Sequence, residues 1–180
     1  MIGRLRGNVI EKTPPFFILD VSGVGFVVQA PLSSFDTIKE NQEIILYTKC
    51  LFKDEEAFIY GFLTKDELNI FTDLISVSGV GPKLALNLLS TFPPDQISQA
   101  IENENLELLS SVPKIGKKLA SKIVLELKGK LSFAEKATVF NQAVHALCSL
   151  GLTRVEAIQR LRGLPTDISL EELIKRALRT

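Results

Sequence analysis

The sequence predicts a multidomain α+β protein in which an all-β segment is followed by helical segments. Within residues 1–62, short apolar runs are separated by turn signals such as TPP and SGVG, a pattern typical of short β-strands. From Thr64 onward, apolar residues instead recur at the spacing of an α-helix. The β-segment is too short for a two-sheet sandwich, so we expect a five-stranded barrel.

Helix-start signals and composition divide the chain into domains. The TKDE of residues 64–67 is a capping box, in which Thr64 precedes a helix and Glu67 reaches back to it. GKLSFAEKATVF, which ends at Phe140, has no strong period and indicates a linker. We predict a barrel domain over residues 1–63, a helical domain over 64–130, a short linker over 131–140 and a last domain over 141–180.

The last domain is expected to be a compact three-helix unit. NQAVHALCSLG indicates a helix with Gly151 just past its end, where a left-handed backbone favours glycine. Thr153 with Glu156, and Ser169 with Glu172, have capping-box spacing and predict the starts of two further helices.

Composition argues against several classes of protein. The hydrophobic fraction of 46% suits a folded chain, and no apolar run approaches the ~20 residues that span a bilayer. The N-terminal MIGRLRGNVIEK mixes charged and apolar residues, unlike a signal peptide.

The only cysteines, Cys50 and Cys148, are expected to be buried, reduced thiols of a cytoplasmic protein. The single histidine, His145, has no cysteine or histidine nearby in sequence, so we expect no zinc site and no other cofactor.

Basic residues are unevenly distributed, although 21 basic residues balance 21 acidic ones. Residues 1–62 have a net charge of −2 and residues 131–180 a net charge of +2. Between residues 114 and 130, six lysines stand against a single acid, Glu126, for a local charge of +5. The distribution of charge therefore favours nucleic-acid binding by the helical domain, although the total does not.

The helical domain contains an internal repeat. Residues 76–89, SVSGVGPKLALNLL, align without gaps on residues 111–124, SVPKIGKKLASKIV, at a constant offset of 35. Each copy has an apolar helix end, a glycine turn, a lysine two residues after the last glycine, and Leu-Ala near the start of a second helix. The matched pairs include Ser76 with Ser111, Val77 with Val112, Val80 with Ile115, Gly81 with Gly116, Lys83 with Lys118, Leu84 with Leu119 and Ala85 with Ala120.

This repeat resembles the helix-hairpin-helix motif of DNA-binding proteins. Glycine lets the backbone approach a ligand closely, the first amides of the second helix favour an anion, and the lysine adds positive charge beside a bound phosphate. Such contacts hold the DNA backbone and read no bases. Ordinary helix–glycine–helix corners are the alternative, which two gapless copies disfavour. The candidate DNA contacts are Gly79, Gly81, Lys83, Lys114, Gly116, Lys117, Lys118 and Lys122.

The second copy departs from the motif at one position. Lys114 stands where the first copy has Gly79. If that position needs a positive φ, a lysine there costs ~1 kcal/mol. A positive charge near phosphate would offset that cost.

The order of the segments resembles the RuvA family over essentially the full chain. MIGRLRG at the start, a β-segment ending in YGF, GVGPKLAL, IGKKLASKIVLELK and a small helical end carry this resemblance. It implies an OB fold for the first domain, paired hairpins that hold the two strands of a duplex across the minor groove, and a UBA-like last domain. It also implies a non-catalytic subunit that binds Holliday junctions, holds them open and square-planar, and acts in recombination and repair.

The resemblance further implies partners. Four copies would form a homotetramer on the junction, with a second tetramer able to cover the other face. The RuvB motor would dock on the last domain, and the RuvC resolvase would be a further partner. The predicted linker is shorter than in many members of the family, which bears on how far the last domain can move. The candidate RuvB contacts are Leu147, Leu150, Leu152 and Leu178.

An acidic cluster lies at residues 54–56, in LFKDEEAFIYGF. The resemblance places Asp54 and Glu55 at the family's acidic pin, counted back from YGF, with Glu56 an additional acid. In a fourfold assembly these carboxylates would meet near the point of strand exchange and repel DNA phosphates. We hypothesise that they favour junctions over continuous duplex. A solvated hairpin tip is the simpler alternative.

Two other functions have candidate residues. A metal-dependent nuclease could hold Mg²⁺ with Asp54, Glu55 and Glu56, but adjacent residues of an extended strand point to opposite faces. The sequence has no GxxxxGK[ST] loop, so a partner must handle any ATP. A single-strand binder would use barrel aromatics, most of which are more simply core or interface. These are Phe16, Phe17, Phe26, Phe35, Tyr47, Phe52 and Phe58.

Overall fold

The computed structural model describes residues 1–53, 55–131, 142–144, 146–161, 163–165 and 168–179. The chain forms two compact units, Met1–Leu131 and Ser132–Thr180. Leu131 is buried, and the rest of the predicted linker lies outside the described residues, as does His145. In the described parts of the chain, no helix has the length and apolar character needed to cross a membrane.

Five strands form a closed barrel, as the sequence predicts. They are β1 (Arg4–Thr13), β2 (Phe16–Val21), β3 (Val24–Gln29), β4 (Glu43–Lys53) and β5 (Glu56–Phe62). Their order around the barrel is β1-β2-β3-β5-β4, with β3 and β5 parallel and the other neighbours antiparallel. Alternate side chains fill the interior because successive residues of a strand point to opposite faces. The buried core includes Leu5, Val9, Phe17, Leu19, Val28 and Leu46.

A short helix, α1 (Leu32–Thr37), lies between β3 and β4, in a region where the sequence predicted only strands. Phe35 of this helix is buried, and its ring centroid lies 5.8 Å from that of Phe17 inside the barrel. Six residues are too few to display a helical period. Packing of Phe35 on the barrel therefore accounts for a helix that no local sequence pattern predicted.

β4 and β5 continue past the barrel as a two-stranded hairpin. Their register runs from Tyr47 opposite Phe62 to Lys53 opposite Glu56, whereas the pairing of β4 with β1 ends at Tyr47. Phe52, near the tip, is 77% exposed. Glu55 and Glu56 therefore lie at the end of a ribbon in which β4 and β5 pair only with each other.

Five helices complete the first unit. They are α2 (Lys65–Ser76), α3 (Pro82–Thr91), α4 (Pro94–Glu102), α5 (Leu106–Ser110) and α6 (Lys117–Leu127). α2 starts at the predicted capping box, where the Glu67 amide donates to Thr64 Oγ1 over 3.1 Å and the Thr64 amide donates to the Glu67 carboxylate over 3.0 Å. The sequence signal for this boundary is confirmed.

Aromatic packing joins the helices to the barrel. Phe71 of α2 is fully buried, and its ring centroid lies 5.1 Å from that of Tyr60 and 4.8 Å from that of Phe62. Both partners belong to β5. The same strand therefore carries the exposed hairpin tip and the anchor of the helical segment.

Two hydrogen bonds connect α1 to α3. The Leu32 amide donates to Ser90 Oγ over 2.7 Å, and Ser33 Oγ donates to the Leu89 carbonyl over 3.3 Å. Ser90 Oγ in turn donates to the Leu86 carbonyl over 2.7 Å. These bonds fix α3, the helix that follows the first hairpin, against one end of the barrel.

In its described residues, the second unit contains helices joined by turns and no strand, in agreement with the predicted three-helix organisation. Residues 142–144 and 146–149 are helical, and two further helices span Arg154–Leu161 and Leu170–Arg179. Gly151 has φ 98°, and its amide donates to the Cys148 carbonyl over 3.0 Å. The predicted left-handed glycine after the first of these helices is confirmed.

The two capping boxes of the second unit differ. At the first, the Thr153 amide donates to the Glu156 carboxylate over 2.8 Å and the Glu156 amide donates to Thr153 Oγ1 over 3.3 Å. At the second, the Glu172 amide donates to Ser169 Oγ over 3.3 Å. The Glu172 carboxylate, however, accepts from Arg176 Nε over 2.8 Å. Of the two bonds of this capping box, the described contacts therefore include only the one from the Glu172 amide to Ser169.

Both cysteines are free, as predicted. Cys50 and Cys148 are half-buried rather than buried, which corrects the expected environment of the two thiols. Cys50 Sγ lies 3.7 Å from the backbone oxygen of Ile2, to which it donates.

We predict that Gly7→Ala destabilises the barrel. A Cβ at Gly7 would lie 2.1 Å from the backbone oxygen of Asp20 on β2, and a closed barrel cannot easily move that strand away. Overpacking of this kind costs about 1–3 kcal/mol, measurable as the free energy of unfolding in urea. Gly3→Ala is the control, because nothing lies within 4 Å of its Cβ position. Equal losses in the two variants would contradict the prediction.

Candidate nucleic-acid interface

The two copies of the sequence repeat have the same backbone geometry. Gly81 has φ −86° and ψ 168°, and its counterpart Gly116 has φ −83° and ψ 168°. Two residues before each of these glycines, the backbone is left-handed, with φ 100° at Gly79 and φ 73° at Lys114. The gapless alignment of the two segments therefore corresponds to two turns of the same kind.

Hydrogen bonds repeat along with the dihedral angles. The Val80 amide donates to the Val77 carbonyl over 2.9 Å, and the Ile115 amide donates to the Val112 carbonyl over 3.0 Å. All four of these apolar side chains are buried. Each turn is thus pinned to the helical core by two apolar side chains, while its glycines remain at the surface.

The backbone after each turn presents unpaired donors. Neither α3 nor α6 has a side-chain cap at its start. The amides of Gly81 and Lys83 in the first copy, and of Gly116, Lys117 and Lys118 in the second, donate to no group among the residues that the structure describes. Such donors, aligned with the positive end of a helix dipole, favour an anion such as a phosphate.

Gly81 and Gly116 are not required by the fold itself. Their φ values lie in a region open to any residue, and a Cβ at either position would meet nothing within 4 Å. A side chain would, however, project beside the unpaired amides. Without a side chain, the backbone at each of these positions stays open to close approach from outside.

Lys114 has the left-handed backbone conformation, which is sterically unfavourable for a residue other than glycine. Its φ of 73° matches the positive φ of Gly79. A left-handed non-glycine residue costs of order 1–2 kcal/mol. The second turn therefore keeps the geometry of the first in spite of the substitution, and its lysine side chain is exposed.

The predicted lysine contacts differ in how freely they are presented. Lys83, Lys114, Lys117 and Lys118 are exposed beside the two turns. Lys122 is half-buried, and its Nζ lies 3.8 Å from the Glu126 carboxylate one turn further along α6. The positive charge of Lys122 is therefore partly neutralised by Glu126 of the same helix.

The positive charge of residues 114–130 is partly neutralised in the folded structure by an acid from outside this stretch. Lys128 Nζ lies 2.5 Å from the Glu104 carboxylate. The hydrogen bond, assisted by charge attraction, raises the pKa of Lys128 and lowers the pKa of Glu104. The local charge of +5 counted along the chain is therefore an overestimate, since Glu104 lies outside the counted window.

Asp73 of α2 carries a buried carboxylate oxygen close to the first turn in sequence. Its Oδ2 has no hydrogen-bond partner among the described atoms, and burial raises the pKa of this carboxyl. No sequence pattern marked this residue, because its burial depends on helices that pack together from distant parts of the chain.

The hairpin tip presents two described acids. Glu55 is exposed with φ 68°, and Glu56 is exposed at the start of β5. Asp54 lies outside the described residues. Among the residues that are described, no three His, Cys, Asp or Glu side chains are grouped to hold a metal ion.

The candidate partner contacts of the second unit fall into two classes. Leu147 is completely buried in the core of this unit, so its assignment as an exposed partner contact is wrong. Leu152 is half-buried against the same core. Leu150 and Leu178 are 62% and 45% exposed. All four residues are apolar leucines in the sequence, but only the tertiary packing shows which of them are core and which are surface.

One grouping in the first unit escaped the sequence analysis entirely. A cavity of about 610 Å³ lies between one end of the barrel and α3. Lys83 and Lys114, one from each copy of the repeat, both line it. Phe16 of β2 and Phe58 of β5 line its barrel side. These residues are far apart in sequence, so no local spacing could have connected them.

Comparison with known families accounts for most of the chain. The family model described as RuvA N terminal domain matches residues 1–61. The model described as SAM-like helix-hairpin-helix tandem matches residues 71–130, and the RuvA C-terminal domain matches residues 138–180.

Full-length relatives agree with these matches. A protein of Chromobacterium violaceum is 37% identical, with 100% of this chain and 98% of the relative covered. One of Coxiella burnetii is 38% identical, covering 99% of this chain and 97% of the relative. One of Actinobacillus succinogenes is 36% identical, covering 99% and 98%. Each of the three is named Holliday junction branch migration complex subunit RuvA.

We predict that Lys114→Gly stabilises the protein. Glycine adopts φ 73° without the steric cost that lysine incurs, so the free energy of unfolding should rise by about 1 kcal/mol. Lys122→Gly is the matched control, because it places glycine inside α6, where it should cost about 1 kcal/mol. Urea unfolding of both variants measures the two effects. A loss of stability in Lys114→Gly would show that the turn does not hold the left-handed conformation.

Proposed function

Since the chain belongs to the RuvA family, we propose that it is the DNA-binding subunit of a branch-migration complex and recognises Holliday junctions without catalysing a reaction itself. The main support is the pair of turns with matching dihedral angles, open glycines and unpaired amides. Two equivalent phosphate sites suit a duplex, whose two strands present equivalent backbones. With cellular DNA as its ligand, the protein would act in the cytoplasm.

The two turns are neighbours, which supports their action on one duplex arm. A Cβ at Gly79 in the first turn would lie 3.4 Å from Leu119 Cδ1, at the start of the helix that follows the second turn. Gly81, Gly116, Lys83 and Lys118 would make the phosphate contacts, with Lys117 and Lys122 adding charge. Because these groups meet only the backbone, they would bind arms of any sequence.

The junction geometry requires more than one copy of the chain. We propose a homotetramer in which each subunit holds one arm of the open, square-planar junction. The barrel would form its centre, with the β4–β5 hairpin directed to the point of strand exchange. A hexameric RuvB motor would supply ATP hydrolysis, and RuvC would be a further partner.

Docking of RuvB is assigned to the second unit. Leu150 and Leu178 are the described candidates, because both are large apolar side chains left exposed outside the core. An exposed apolar side chain suits a partner surface. Leu152 would contribute through its accessible part, and Leu147 is removed from the set because it is buried.

The acidic hairpin tip would act by repulsion. Glu55 and Glu56 are exposed at the end of a ribbon that projects beyond the barrel, and Asp54 is the third acid by sequence. Carboxylates near phosphates are unfavourable, most of all where water is scarce. The tip would keep the backbone of continuous duplex away from the centre while the arms are attracted outside it.

Binding and cleavage assays separate this function from its alternatives. The protein is mixed with a four-way junction, a duplex and a single strand, with and without Mg²⁺, and run on native and denaturing gels. We expect retardation selective for the junction and no cleavage. Mg²⁺-dependent scission would instead support a nuclease acting through residues 54–56, and preference for the single strand would support a single-strand binder.

We predict that Lys118→Ala weakens binding to all duplex arms to a similar extent. Loss of one phosphate contact should lower the slope of log affinity against log salt by about one unit. Binding titrations at several salt concentrations give that slope. Lys39→Ala removes an exposed lysine outside the repeat and is the control. An unchanged slope in Lys118→Ala would exclude this lysine from the phosphate site.

Neutralising the acidic tip should blur the preference for junctions. In the double variant Asp54→Asn with Glu55→Gln, we expect tighter duplex binding and a lower ratio of junction to duplex affinity. The control is Glu11→Gln with Glu40→Gln, which removes two exposed acids elsewhere on the first unit. If the tip variant selects junctions as sharply as the parent does, the repulsion hypothesis fails.

A further inference from the structure

The cavity between α3 and the end of the barrel has two unlike walls. Its α3 side carries Lys83, Leu86, Asn87 and Ser90, which recur at helical spacing and therefore share one face of the helix. The opposite wall, called the barrel wall below, is formed by the barrel and by Leu32 at the start of α1. The volume of about 610 Å³ falls within the range of small-ligand sites.

The barrel wall offers apolar and aromatic surface. Phe16 is 41% exposed and Leu32 is 52% exposed, and both line the cavity together with half-buried Phe58. Phe16 pairs in register with Gln29 on β3, whose side chain contributes an amide to the same wall. Solvent-accessible rings beside amide groups suit a flat, partly polar ligand such as a nucleobase.

The charge of the cavity has one sign. Lys83 and Lys114 line it, and no aspartate or glutamate is among its lining residues. This distinguishes it from the surface around Lys128, where acids neutralise the lysine. An anionic group on the ligand is therefore favoured at the rim where the helix-hairpin-helix lysines lie.

Lys114 links the cavity to a strained backbone position. The first copy of the repeat has glycine at the matching site, whereas here lysine keeps a φ of 73°. Strained backbone positions of this kind tend to occur at functional sites. A side chain at this position supplies the cavity with a second cation that glycine could not provide.

The cavity walls are held together without any ligand. The Leu32 amide at the start of α1 donates to Ser90 Oγ over 2.7 Å, which connects α1, the short helix packed on the barrel, directly to the α3 wall. The Ala30 amide donates to the Pro15 carbonyl over 3.3 Å, within the barrel wall. A preformed site loses less conformational entropy on binding than one that must be ordered first.

We propose that this cavity binds one unpaired nucleotide of a DNA strand. The base would stack on Phe16 and Phe58, and its phosphate would lie near Lys83 and Lys114. The inference rests on the proposed function, because a junction undergoing strand exchange presents nucleotides between one pairing and the next. The subunit would then hold a base that has left its old partner, in addition to holding the duplex arms by their phosphates.

Binding of the full chain to matched probes tests this proposal. Fluorescence anisotropy is measured with a duplex, with the same duplex containing one unpaired thymidine, and with a four-way junction, while free dTMP serves as a competitor. We expect the unpaired thymidine to raise affinity about ten-fold over the perfect duplex, the effect of stacking one base. Free dTMP should compete only weakly.

Variants assign the effect to the cavity. In Phe16→Ala the ratio of affinities for the two duplexes should fall to about one, whereas Phe16→Leu should retain part of the preference. Phe52→Ala is the matched control, since Phe52 is an exposed ring on the hairpin outside the cavity. Asn87→Asp, which adds an acid to the α3 wall, should also lower the ratio. Gln96→Glu is its control, because it makes the same charge change at an exposed residue of α4 outside the cavity.

The outcomes separate this inference from the proposed function. Equal affinity of the parent for the two duplexes, or a preference lost in Phe52→Ala but kept in Phe16→Ala and Asn87→Asp, would overturn the nucleotide site while junction selectivity stands. Strong competition by dTMP without preference for the unpaired thymidine would assign the cavity to free nucleotides and equally overturn it. If the parent does not select junctions, the proposed function itself fails.

Discussion

The packing of Phe71 against Tyr60 and Phe62 is the contact on which the arrangement of the first unit depends. The two partners lie on β5, the strand that begins at the acidic hairpin tip, and Phe71 lies on α2, the helix that leads into the first turn of the repeat. A buried aromatic cluster resists rearrangement, because protein interiors are close-packed. The acidic hairpin and the turns of the repeat are therefore held at a set separation. Under the proposed function, that separation would favour one DNA geometry.

The two turns share one architecture but differ in cost. Buried Val77 and Val80 anchor the first, and buried Val112 and Ile115 anchor the second. The first uses Gly79 at its left-handed position, whereas the second carries Lys114 there. The steric cost of about 1–2 kcal/mol is small beside the constraint that the apolar anchors impose, so the second turn keeps its shape. The same substitution adds a second positive charge to the cavity at the end of the barrel, which Lys83 also lines.

Much of this fold was predictable because its signals are local. Capping residues such as Thr64 and Glu67 marked a helix start within four residues of sequence, and the repeat at residues 76–89 and 111–124 predicted two equivalent turns. The barrel followed from alternation and turn residues. The misses have a different character. α1 depends on Phe35 packing inside the barrel, the charge of Lys128 is neutralised by Glu104, and Leu147 is core rather than surface.

The sequence by itself determined the kinds of element, the two equivalent turns of the repeat and the family, because the signals for each lie in residues close together along the chain. The tertiary structure alone decided which lysines remain exposed, which leucines are available to a partner, and that Lys83 and Lys114 share one cavity with Phe16 and Phe58. The physical reason is that burial and charge neutralisation depend on distances through space. Those distances are set by the barrel closing on itself and by α2 and α3 packing against it, and periodicity along the chain does not contain them.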